Sequence, residues 1–121
     1  MSHVKQLPVI AGVEITTDME GRFNLNALHT ASGGEKRNGP TYWLTLESTQ
    51  QLIEEIKKQN TGIPVFTAKG RSGGSFAVEQ LAVAYANWIS PAFYLQVIDT
   101  FLDYKKGKFL NHPGFLGGKL S

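Results

Sequence analysis

"FTAKGRSGGSFAVEQLA", Phe66 to Ala82, is the stretch on which the architecture of this chain turns. Two apolar runs flank a tip that carries Lys69, Arg71, Ser72 and glycines at 70, 73 and 74. If a strand ran through this tip directly into a helix, "GRSGG" would be a G-x-S-x-G nucleophile elbow. Asp99 or Asp103 and then His112 even follow in the hydrolase order. If the chain instead returns as a second strand, the same residues form a hairpin with its cations at the tip. "SFAV" reads as extended, which favours the hairpin. A chain of 121 residues is also too short for the several strand–helix units of a hydrolase sheet. His112 lies in a tail without periodicity, a poor place for a general base that needs close positioning. No catalytic residue is assigned.

Upstream, "STQQLIEEIKKQNTG" is the clearest helix. Ser48 and Gln51 predict a capping box, and Leu52, Ile53 and Ile56 a buried stripe. Glu54 and Lys58 are expected to pair at i,i+4, with Gly62 just past the end. "PTYWLTL" reads as a short helix opened by Pro40, and "SGGEKRNGP" before it as a loop. "ALHTAS" reads as a helix of about two turns, capped by Asn24 or Asn26 and ended by Gly33 in the left-handed conformation. Further back, apolar residues alternate at Val9, Ala11, Val13 and Ile15, break at "TDMEG" and resume at Phe23 and Leu25, as a strand, a turn and a short return strand.

Downstream, "EQLAVAYANWI" places Leu81, Ala84, Tyr85 and Trp88 on one helical face. "SPAFYLQVIDTFLDYKKG" begins with Ser90 as cap and Pro91 as first helical residue. Its stripe is Tyr94, Val97, Ile98 and Phe101, with Lys105 and Lys106 at the negative end of the helix dipole. The order is strand pair, helices, strand pair, helices. That predicts an α+β domain with small β-hairpins on a helical core, over residues 1–108, and a loosely held tail or linker over 109–121.

The bulk numbers narrow the function. Apolar content of 41% with 18% charge is that of a globular chain. There is no apolar run of membrane-spanning length, and the N-terminal "MSHVKQLPVIAG" lacks a signal-peptide core, so the expected location is the cytoplasm. With no cysteine, thiolate metal sites and disulfides are excluded. His3, His29 and His112 are scattered, so neither a metal nor a cofactor is expected. No lysine follows Gly74 as a phosphate-binding loop requires, and G-x-G-x-x-G is absent.

The net charge is only +2, but its distribution is uneven. No acid lies between Glu55 and Glu79 around Lys69 and Arg71, and none follows Asp103, where four lysines occur. Two short helices flank the glycine-rich loop bearing Lys36 and Arg37, the order of a helix-turn-helix. Set beside the later hairpin, such a unit could enter a major groove while the hairpin meets adjacent backbone. Trp43 and Trp88 are expected in the core, leaving Tyr42 as the exposed aromatic.

"GRFNLNALHTASGG", then "GPTYWLTLESTQQLIEEI", then "PVFTAKGRSGGSFAVEQLAVAYANWISPAFYLQVIDTF" together resemble the KilA-N domain of phages and large DNA viruses. The likeness covers about Ile15 to Tyr104. It implies a double-stranded DNA-binding module of a phage or prophage protein, regulating viral or host genes in the bacterial cytoplasm. The fold it implies is related to the fungal APSES domain, with a helix-turn-helix and a β-hairpin wing. Carried onto this chain, Lys36, Arg37, Asn38, Thr41, Tyr42 and Thr45 form the helix-turn-helix contacts. Lys69, Gly70, Arg71, Ser72 and Gly73 form the wing. Lys57 and Lys58 are further candidates for phosphates. A basic residue often follows "WL" in that pattern, whereas this chain has Thr45. A homodimer is compatible with such a module, and a protein-interaction role without DNA is the alternative.

Overall fold

The computed structural model describes residues 7–70 and 73–106. It is an α+β fold of five α-helices and two small antiparallel sheets. The first sheet pairs β1 (Val9–Ile10) with β2 (Val13–Glu14), matching Val9 with Glu14 and Ile10 with Val13. The alternating run expected as one strand is therefore folded in half. Ala11 (φ 51°) and Gly12 (φ 79°) form the two-residue turn, and both hold the positive φ that the right-handed twist of a tight hairpin demands. Ile10 and Ile15 face the core from opposite sides of that turn.

The second sheet has the order β3-β5-β4, from β3 (Phe23–Asn24), β4 (Val65–Ala68) and β5 (Gly74–Ala77). The β4–β5 hairpin is present as expected. The return strand around Phe23, however, pairs mainly with β5, Phe23 opposite Ala77, and meets the segment before it only over a short stretch at Thr16–Asp18, with a single bridge between Thr17 and Phe23. Leu25 is not in the strand but opens the next helix, where it is fully buried.

That helix is α1 (Leu25–Ala31). Asn24 caps it, its side-chain oxygen accepting from the backbone N–H groups of Asn26 and Ala27. Gly33 (φ 117°) and Gly34 (φ 70°) take the chain out of it. A 3₁₀ turn at Lys36–Asn38 leads to α2 (Pro40–Thr45), with Pro40 as its first residue. The longer α3 (Glu47–Gln59) follows after the single extended residue Leu46. Because the Leu46 carbonyl already accepts from Gln50 N–H, α3 starts before Ser48, and the predicted capping box does not form. Gln50 turns back to donate to the Leu44 carbonyl at 2.6 Å. The charged pairs on α3 are Glu54–Lys57 and Glu55–Lys58, at i,i+3, in place of the expected Glu54–Lys58 pair.

Two further helices, α4 (Glu79–Ile89) and α5 (Pro91–Lys106), pack on each other. Ser90 Oγ accepts from Phe93 N–H, so the predicted cap of α5 is in place. Along α5 the buried positions are Phe93, Val97 and Phe101, while Tyr94 and Ile98 are only half-buried. Along α4 they are Leu81, Ala82, Tyr85 and Ala86. The inward face of α4 is thus rotated by about one residue from the expected one, and Trp88 is 36% exposed rather than core. Trp43 is core as expected. The core is closed by Phe23 stacked on Phe101 at 4.5 Å. The predicted tail 109–121 lies outside the described residues.

Candidate nucleic-acid interface

The short helix α1 holds both loops that carry the candidate cations. At its start, Asn26 Oδ1 accepts from the backbone N–H of Ser75 in β5 at 2.9 Å. One turn later, His29 Nε2 meets the backbone carbonyl of Glu35 at 2.6 Å, directly before the Lys36–Asn38 turn. The carbonyl is an acceptor only, so Nε2 must carry the proton. Positions 26 and 29 are three apart and share one helix face. Hairpin and turn are therefore both fastened to the same side of a helix about 10 Å long.

A second clamp holds the turn from the other end. The Tyr85 hydroxyl, buried on α4, donates to the Asn38 carbonyl. Burial pushes the Tyr85 hydroxyl well above its ordinary range, so it stays a donor at any physiological pH. His29 and Tyr85 thus bracket the three-residue turn. Its cations face solvent: Lys36 is exposed, and Arg37 keeps 81% of its side chain in water. Arg37 is also paired with Glu35 at 3.0 Å. That acid offsets part of the positive field around Arg37.

On α2, Thr41, Tyr42 and Thr45 are all exposed, while Pro40 and Trp43 are buried on the opposite side. Tyr42 is 57% exposed and leans on Trp88, ring centroids 6.0 Å apart. Trp88 in turn stacks on Tyr85 at 6.3 Å, so the aromatic contact runs from solvent to the core. Thr45 Oγ1 donates to the Tyr42 carbonyl at 2.7 Å, which leaves its hydroxyl able to accept but not to donate elsewhere. Lys57 and Lys58 are paired with acids of their own helix and stand apart from the two clamped loops in the chain.

At the hairpin, Lys69 and Gly70 are exposed, and Gly70 has φ 98°. Gly73 N–H donates to the Gly70 carbonyl at 3.0 Å, closing the tip. A Cβ on Gly73 would lie 2.2 Å from the Ala68 carbonyl oxygen, so no other residue fits this closure without backbone movement. Arg71 and Ser72 lie outside the described residues. Close below its tip the hairpin is fixed by a contact between the Thr67 and Ser75 hydroxyls at 3.2 Å as well as by Asn26.

Asn26, His29 and Tyr85 were not among the sequence candidates. Their partners lie 49, 6 and 47 residues away, and all three bonds go to backbone groups, which no side-chain pattern reveals. The one hint was that Asn24 and Asn26 competed for a single capping role, leaving one of them spare.

Elsewhere, a cleft of about 390 Å³ lies between the end of α3 and the start of α4, lined by residues 60–64, Ile56 and Val78–Gln80. None of the described candidate residues lines it. Among the described residues no group of three His, Asp or Glu side chains is placed to hold a metal ion, and no helix is long and apolar enough to cross a membrane.

Residues 7–107 match the KilA-N domain. Protein kilA of Escherichia phage P1 is 56% identical over 102 residues, which is 84% of this chain and 38% of that protein. The chain therefore spans well under half the length of this relative. No solved structure is significantly similar. With nearly the whole described region matched and more than half of the aligned residues shared with a phage protein, the chain belongs to the KilA-N domain family.

Proposed function

We propose that this chain binds double-stranded DNA through one composite surface, made of the Lys36–Asn38 turn, the outer face of α2 and the tip of the β4–β5 hairpin. KilA-N is a DNA-binding domain family rather than an enzyme family. In this reading α1 and α2 act as a helix-turn-helix and the hairpin as a wing. Lys36, Arg37, Lys69 and Arg71 meet phosphates. Asn38, Thr41, Tyr42 and Thr45 lie toward base edges or sugars, and Gly70, Ser72 and Gly73 allow close backbone approach. The likeness to a phage protein supports a phage or prophage setting; in this reading the domain serves to regulate viral or host genes in the bacterial cytoplasm.

The observation that carries the reading is the shared anchoring of the two basic loops. Asn26 and His29, on one face of α1, bond to the hairpin strand β5 and to the residue before the turn. Cations on separate loops grip a rod-like polyanion only if they are held together, and a common anchor on one helix supports that requirement.

A gel shift with random-sequence duplex tests it. The native chain is expected to shift the duplex, and Lys36→Ala, Lys69→Ala and Arg71→Ala each to weaken the shift on every sequence alike, as phosphate contacts should. A protein-interaction module without DNA contact would give no shift in any of them, and that result would reject the reading.

A further inference from the structure

Asn24 and Asn26 stand two residues apart and use their carboxamides differently. Asn24 is satisfied at both ends: its oxygen caps α1, and its Nδ2 donates to Thr16 Oγ1 at 3.1 Å. Asn26 is satisfied at one end only. Its oxygen takes the Ser75 N–H, and its NH2 group has no partner among the described residues. The orientation is not ambiguous, because a backbone N–H must meet the oxygen and not the nitrogen of the amide. The tether holds the amide by its oxygen and leaves its two N–H donors without a partner among the described residues. Asn26 is exposed, and its helix face is bounded by the hairpin on one side and, through His29, by the Lys36–Asn38 turn on the other.

We propose that the Asn26 carboxamide is itself a DNA contact, its NH2 group donating to a phosphate oxygen seated between the two basic loops. This rests on the duplex-DNA reading above and adds to it a neutral donor at the centre of the cationic surface. The chemistry suits the place. A phosphate needs hydrogen-bond donors as well as charge, and a donor already held by a second bond loses little freedom on binding. A residue that served only to tether the hairpin would need its oxygen alone.

The Asn26→Asp variant separates the two roles. Aspartate keeps an oxygen for the Ser75 N–H but replaces the donors with negative charge. Duplex affinity is measured by fluorescence anisotropy at fixed salt, with hydrogen exchange at the Ser75 amide as the check on the tether. The expected result is an affinity loss of about 10- to 100-fold, as for a lost hydrogen bond to a charged group, with Ser75 still protected. In the native protein, duplex should also slow solvent exchange of the Asn26 side-chain NH2 protons. That second measurement decides the matter if the variant does not fold. If native protein binds and Lys69→Ala weakens it, while Asn26→Asp binds within about twofold of native or the NH2 protons remain unprotected, the Asn26 contact is wrong and the wider reading stands. If native protein does not bind duplex at all, both fall together.

Discussion

Tyr85→Phe removes one oxygen atom from the interior and should loosen the turn that carries Lys36 and Arg37. The Tyr85 side chain is fully buried, and its hydroxyl donates to the Asn38 carbonyl across 47 residues of sequence. The ring keeps its contacts with Trp43 at 5.1 Å and Trp88 at 6.3 Å, so the substitution removes the hydrogen bond and little else. A net hydrogen bond contributes about 1 kcal/mol, and an orphaned buried carbonyl adds up to ~2 more. Asn38 is only half-buried, so water can reach its carbonyl once the turn relaxes, and the lower end applies. The expected cost is about 1–1.5 kcal/mol, which for a domain of this size lowers the melting midpoint by roughly 4–7 °C. Urea titration followed by tryptophan fluorescence measures it. With one of its two clamps gone, the turn should also bind duplex DNA a few-fold more weakly, by anisotropy. A stability change under ~0.5 kcal/mol, with unchanged DNA affinity, would refute the clamp.

Glu35→Gln removes the acid that pairs with Arg37 while leaving the backbone carbonyl held by His29, so duplex affinity in low salt should rise about two- to fivefold; a fall would mean that Glu35 itself positions Arg37. Ala11→Gly relieves a side chain held at φ 51° in an exposed turn and should raise stability by about 0.5–1 kcal/mol in chemical denaturation. At Asp18, burial alone would raise the carboxyl pKa. The backbone and side-chain hydrogen bonds from Arg22, the Glu20 N–H and the Arg22 charge together outweigh it and hold the pKa below its ordinary value of 3.8. A depressed carboxyl pKa stabilises the fold fully above that ordinary value, and the contribution is lost as pH falls through the lower folded value. Asp18→Asn should therefore cost about 1–2 kcal/mol near neutral pH and flatten the stability curve below pH ~4.

The helices were legible wherever a local rule governed them. Pro40 and Pro91 at first helical positions, Ser90 as a cap and Gly33 as an exit all act within a turn of chain, and all stand where they were expected. The hairpin of β4 and β5 was legible for the same reason. What misled was competition from neighbours. Ser48 is a good cap by type, but Leu46 already ends α2 and starts α3, so no capping role was left for it. Alternation at Val9 to Ile15 suggests one straight strand, but the two-residue turn pairs Ile10 with Val13 and so switches which alternate residues face inward, leaving Val9 exposed and Ile10 buried. Trp88 is not core because the buried side of α4 is centred on Leu81, Ala82, Tyr85 and Ala86, to which the small alanines contribute as much as the large residues. In the candidate site the exposed residues could be named from type and spacing, since cations and threonines on short elements belong at a surface. The residues that assemble the site could not. Asn26, His29 and Tyr85 act on carbonyl and amide groups that every residue possesses, and only the fold says which.

The most direct test of the composite surface is the salt dependence of binding to random-sequence duplex, measured by anisotropy from low to physiological salt. If the turn and the hairpin together neutralise about four to six phosphates, the slope of log affinity against log salt should be roughly −3.5 to −5.5, so fourfold more salt weakens binding by about 100- to 2,000-fold. Lys36→Ala and Lys69→Ala should each make that slope less steep by about 1, because each removes one phosphate partner from a different loop. A slope near zero, or one that responds to only one of the two loops, would contradict a single surface held together by α1.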